Sequence, residues 1–154
     1  LAGIAAAIEP ERNLRLQAER VGAYDSDGSR RALDLIARSV YHTAERSHPR
    51  LVAVPTRSGN TARRIARFRL PCPVVAFTPN PDTAQRLCFS YGVYPQETGT
   101  DLADWTQYVR SWLAEQAIDD GSVLLTQGPS DEHPCGNHRL EIIELDGERA
   151  EACR

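Results

Sequence analysis

The sequence predicts a three-layer α/β/α domain built on a largely parallel sheet, and three observations lead there. Short apolar runs at Leu51 to Val54, Val74 to Phe77 and Val123 to Leu125 are continuous rather than alternating, as in strands covered on both faces. Stretches of helical period separate them, which is the pattern of parallel strands joined by crossover helices. The last run, Arg139 to Leu145, alternates apolar and polar residues around Leu140 and Ile142. It is expected to be antiparallel and exposed on one face.

Taken in order, Leu1 to Ile8 is helix-prone without a start signal, and Glu9 to Gly28 is polar, broken by Pro10, Gly22 and Gly28. Residues 1–28 are therefore expected to be the end of a preceding helix plus a linker. Residues 29–146 form the domain, and 147–154 a polar tail. From Ser29, Leu33, Ile36, Val40 and Ala44 share one helical face, and Pro49 ends it before the first strand. Ser58 or Asn60 is expected to cap the next helix, with Ala62, Ile65, Ala66 and Phe68 facing inward and Arg63, Arg64 and Arg67 outward. Asn80 followed by Pro81 marks a third helix start. Gly92 to Tyr94 reads as a brief edge strand. Leu102, Trp105, Val109, Trp112, Leu113 and Gln116 lie on one stripe of a further helix, which Gly121 is expected to end.

At 154 residues the chain is one domain by size, and its composition, 41% hydrophobic and 25% charged, is that of a globular protein. A formal net charge of −3 gives no pull toward nucleic acid or an anionic membrane. No apolar run reaches bilayer-spanning length and no signal-peptide layout stands at the start, so the cytoplasm is expected. Cys72, Cys88, Cys135 and Cys153 form no CxxC pair and read as reduced thiols. The absence of Met and the start at Leu1 suggest a piece of a longer protein. All 18 basic residues are Arg, which excludes a Walker lysine, a Schiff-base lysine and a lysine acid or base.

The stretch with the most chemistry is the turn Thr56, Arg57, Ser58, Gly59, Asn60 and Thr61, between a strand and a helix. Three hydroxyls, a glycine permitting close approach, one guanidinium and the unpaired N–H groups of a helix start suit a phosphate. The competing reading is a helix start capped by its own side chains, as in many helices without a ligand. In a parallel sheet ligands bind at the carboxyl ends of strands, and the turn-rich segment Gln127 to Asn137 lies on that side as well. Arg63, Arg64, Arg67 and Arg69 read as a solvated face rather than a nucleic-acid patch, because aromatic interleaving is missing. His133, Cys135 and His138 fall short of a zinc set, since no well-spaced further ligands accompany them. No catalytic constellation stands out, and Trp105 and Trp112 read as core.

From Ile36 to Leu145 the sequence resembles the C-terminal domain of pyruvate kinase. IARSVYHTA (Ile36 to Ala44), LVAVPTRSGNTARRIARFRLPCPVVAFTPNP (Leu51 to Pro81), YGVYP (Tyr91 to Pro95) and a closing loop with Asn137 carry the resemblance. Leu1 to Ala7 resembles the last helix of that enzyme's catalytic barrel. The resemblance implies a five-stranded mixed sheet of order 3-2-1-4-5 with strand 5 antiparallel. It implies no catalytic residue and no cofactor in this chain. Phosphoryl transfer from phosphoenolpyruvate to ADP, with its Mg²⁺ and monovalent cation, belongs to the barrel of the same protein. The domain itself is implied to help form a homo-oligomer and to bind a phosphorylated sugar or nucleotide. The phosphate would sit on Thr56 to Thr61, and a loop with Gly128, Gly136 and Asn137 would close over it. Asp131 and Glu132 in that loop, and the lack of an arginine between Asp104 and Arg110, point to one phosphate rather than two, as in ribose 5-phosphate, glucose 6-phosphate or AMP. Two other readings stay open: a purely structural assembly module, and a free-standing small-molecule or hydrolytic protein that reuses the fold.

Overall fold

The computed structural model describes residues 28–99, 102, 104–128 and 137–145. The expected linker up to residue 27, the tail, Gly136, His133, Cys135 and Cys153 lie outside the described residues. Within them the order is α1 (Gly28–Ser47), β1 (Leu51–Pro55), α2 (Asn60–Ala66), β2 (Val74–Thr78), α3 (Pro81–Leu87), β3 (Val93–Glu97), α4 (Trp105–Glu115), β4 (Gly121–Gln127) and β5 (Arg139–Leu145). The strands form one sheet of order β3-β2-β1-β4-β5. Its first four strands are parallel, and β5 runs antiparallel to β4.

Both faces of the sheet are covered, which is why β1, β2 and β4 read as unbroken apolar runs. Val52, Val54, Val74, Ala76, Val93 and Leu124 pack under Val40, Tyr41 and Ala44 of α1, Ile65 of α2 and Leu87 of α3. The alternate residues Leu51, Ala53, Val75, Phe77, Val123, Leu125 and Ile143 pack under Val109 and Leu113 of α4. Phe77 is the hub of that second layer, with Trp112 and Tyr108 edge-on at 5.3 and 5.6 Å between ring centres.

Three local expectations are corrected. The residue that ends α4 is Ala117, not Gly121: it takes φ 54°, and the Ile118 N–H then donates back to the Leu113 C=O at 2.9 Å. That is a left-handed helix end occupied by a residue other than glycine, while Gly121 opens β4. In β5 the fully buried residue is Ile143, and Ile142 is exposed. The Glu-Ile-Ile-Glu run supports either phase, and packing against α4 selects the one containing Ile143. Among the arginines, Arg63 and Arg67 are exposed as expected, and Arg64 is the exception. Arg64 pairs with Asp34 of α1, tying α1 to α2, and Arg63 folds back onto its own helix start.

The chain crosses from β1 to β2 and β3 in one direction, then returns over the other face through α4 to place β4 beside β1. The crevice between the carboxyl ends of β1 and β4 is therefore the topological switch point, where open α/β sheets bind ligands.

Candidate functional site

The turn after β1 stands at that crevice. The Thr56 N–H still donates to the Phe77 C=O at 2.8 Å, so the loop leaves the sheet from a fixed point. Thr56 Oγ1 then accepts from the Gly59 N–H at 2.9 Å and closes a tight turn. The Thr83 hydroxyl of α3 donates to the Arg57 C=O at 2.9 Å, pinning the loop from the other side. Arg57, Ser58 and Asn60 are exposed, Thr56 and Thr61 half-buried, and Gly59 buried.

Gly59, rather than Ser58 or Asn60, is the N-cap of α2. It takes φ 76° and ψ 0° and, having no side chain, provides no cap to the first N–H groups of the helix. The other two helix starts along the sheet differ. Asn80 Oδ1 accepts from the Asp82 and Thr83 N–H groups, and Asp104 Oδ1 accepts from the Gln107 N–H. The first turn of α2 thus starts without a cap from its N-cap residue, next in sequence to the hydroxyl-bearing Ser58 and Thr61.

Arg63 is a residue that sequence reasoning placed on a solvated face and that the structure brings to the turn. Its Nη2 donates to the Ser58 C=O at 2.7 Å and to Asn60 Oδ1 at 3.2 Å. The guanidinium lies against Gly59, where a Cβ would come within 3.1 Å of Nη1. The i, i+3 spacing from Asn60 was the available signal.

Across the crevice, β1 and β4 pair as far as Ala53 with Leu125. Thr126 stands one residue further toward the carboxyl end, 2% exposed, and its hydroxyl has no hydrogen-bond partner among the described residues. Gln127 Oε1 accepts from Arg139 Nη2 at 2.5 Å, while its buried Nε2 has no partner among the described residues. Buried polar atoms are rarely left so, and a water or ligand atom is the ordinary remedy. Gly128 packs against the His138 ring, 2.9 Å from where its Cβ would stand, so both ends of the expected closing loop meet at the crevice. Gly128 and Asn137 are among the described residues; the loop between them is not. Among the described residues no three of His, Cys, Asp and Glu converge as a metal site. None of the described helices is long and apolar enough to cross a membrane.

Residues 34–138 match the family described as pyruvate kinase, alpha/beta domain. A pyruvate kinase of Methanocaldococcus jannaschii is 29% identical over 131 residues, covering 80% of this chain and 28% of that protein. One of Staphylococcus saprophyticus is 31% identical over 96 residues, covering 58% of this chain and 16% of its own length. The structure of a Cryptosporidium parvum pyruvate kinase superimposes with a TM-score of 0.71 at 17% identity, covering 88% of this chain and 28% of that one. The chain thus spans less than a third of the length of these relatives.

Proposed function

The chain belongs to the pyruvate kinase family, as its alpha/beta domain, and from that premise we propose that it is a regulatory and subunit-assembly domain whose Thr56 to Thr61 turn holds the phosphate of a sugar monophosphate or nucleotide effector. The observation that carries this reading is the uncapped start of α2 at the switch point, with Ser58, Thr61 and Arg57 around it. The unpaired Thr126 hydroxyl at the same end of the sheet supports it as a further polar contact for a ligand or its water.

The transfer of phosphate from phosphoenolpyruvate to ADP in glycolysis is assigned in this reading to another part of a cytoplasmic pyruvate kinase. The chain has no lysine, and no step of that reaction is placed on these residues. The domain's part is linkage. An effector that binds one arrangement of turn and closing loop more tightly shifts the assembly toward it, and coupling of the usual size changes substrate affinity about 5- to 150-fold. Arg63 gives the turn a second cation. On phosphate binding it exchanges the Ser58 carbonyl for a charged oxygen.

Calorimetric titration with ribose 5-phosphate, glucose 6-phosphate and AMP tests the reading. At least one is expected to bind, and Arg57→Ala with Ser58→Ala to weaken it at least tenfold. Silence with all three, or binding that ignores the double variant, overturns it. One observation favours the alternative of a purely structural module: Arg63 already donates to the Ser58 carbonyl and to Asn60 Oδ1, so the turn has internal partners of its own. Silent titrations alongside a stable oligomer on sizing would establish that alternative.

A further inference from the structure

Thr83 lies in the first turn of α3, 6% exposed, and its backbone is fixed there because Asn80 Oδ1 accepts from its N–H at 3.3 Å. Its hydroxyl reaches out of α3 and donates to the Arg57 C=O at 2.9 Å. Arg57 and Ser58 are the central residues of the turn that Thr56 Oγ1 closes on the Gly59 N–H, and the peptide joining them is the one that can face either way in a four-residue turn. Thr83 decides its direction. In a planar trans peptide the C=O and the following N–H point oppositely. With the Arg57 carbonyl held toward α3, which packs on β2 and β3, the Ser58 N–H is directed to the other side of β1, where β4 lies. Ser58 accordingly takes no positive φ, as the reversed peptide of a type II turn would require. Its N–H has no acceptor among the described residues.

Thr126 stands on that side as well. Leu124 and Leu125 face opposite core layers, so Thr126 falls on the face that α2 covers, with its buried hydroxyl unpartnered among the described residues. A donor and a hydroxyl thus lie on the β4 side of the turn. The direction of the one peptide sets the sign of the site, since the reversed peptide would present a carbonyl oxygen and repel an anion. We infer that Thr83 is a positioning residue of the effector turn: by holding the Arg57 carbonyl it aims the Ser58 N–H into the crevice, where that N–H donates to a phosphate oxygen. The inference rests on the effector reading of the turn and adds to it an anchor on a neighbouring helix that touches no ligand.

Amide NMR of the full chain during titration with inorganic phosphate, for wild type, Thr83→Val and Thr83→Ser, is the test. Val keeps the packing and loses the hydroxyl; Ser keeps the hydroxyl and loses the methyl group. The Ser58 N–H signal is expected to shift saturably in wild type and in Thr83→Ser, with apparent affinities within about twofold of each other, and phosphate is expected to bind Thr83→Val at least fivefold more weakly. Thr83→Ala takes the place of Thr83→Val should that variant fail to fold. Equal affinity in wild type and Thr83→Val, equal losses in Val and Ser, or phosphate shifts at Asn60 and Thr61 that leave Ser58 unmoved overturn this inference alone. A wild-type turn that does not respond to phosphate overturns it together with the effector reading.

Discussion

At Gly59 the backbone takes φ 76°, and a Cβ there would come within 3.1 Å of both Leu87 Cδ2 and Arg63 Nη1. Gly92 has nearly the same backbone, φ 67°, with nothing within 4 Å of its would-be Cβ. Comparing the two separates conformational strain from crowding. Gly92→Ala is expected to cost about 1–2 kcal/mol, the ordinary penalty of the left-handed region. Gly59→Ala is expected to cost more, because Leu87 is fully buried and cannot give way freely. Urea unfolding of both variants measures the difference. The converse holds at Ala117, where φ is 54° and the helix end is already formed: Ala117→Gly is expected to stabilise by about 1 kcal/mol in the same assay. Neither effect was readable along the chain. Ser58, Gly59 and Asn60 are all acceptable caps by type, and only the closure of Thr56 onto the Gly59 N–H makes glycine the one that serves.

At the scale of elements, the strands were legible for a physical reason. Leu51 to Val54 alternates between two buried layers, so every position is apolar, and no polar face masks the period. Asn80 and Pro81 likewise announce α3, because a cap and a fixed φ act within a few residues. What sequence could not give are partners distant along the chain. Arg64 meets Asp34 across 30 residues, and Thr83 pins Arg57 across 26. The phase of β5 is a further case, since it depends on α4 lying above Ile143. That layer has its own test. Phe77→Ala removes the ring on which Trp105, Tyr108 and Trp112 converge. A loss of about 3–5 kcal/mol is expected, with a shift in tryptophan emission in the folded state.

For the molecule as a whole, the two ends of the sheet differ. The carboxyl end holds the uncapped α2 start and the Thr126 hydroxyl, and the amino end holds the exposed rings of Phe89, Tyr91 and Tyr94 at the β3 edge. Also at the amino end, Arg50 donates to Asp120, joining the entries to β1 and β4. The hydrogen bond from Arg50, with its charge, holds the Asp120 carboxyl below the usual aspartate range. A carboxyl depressed in the folded state adds stability that is present above its unfolded value, about 3.9, and is lost as pH falls through the folded one. The stability difference between wild type and Asp120→Asn is therefore expected to be constant above about pH 5 and to shrink in acid. Because both groups are exposed, added salt is expected to reduce it as well.

The most direct test of the effector cradle is amide NMR of the chain during titration with ribose 5-phosphate, with ribose as the control. Saturable shifts of the Ser58, Asn60 and Thr61 N–H signals are expected with the phosphate ester, with an accompanying change at Arg63, and none with ribose. Unmoved signals in that turn, or equal shifts with the unphosphorylated sugar, would contradict it.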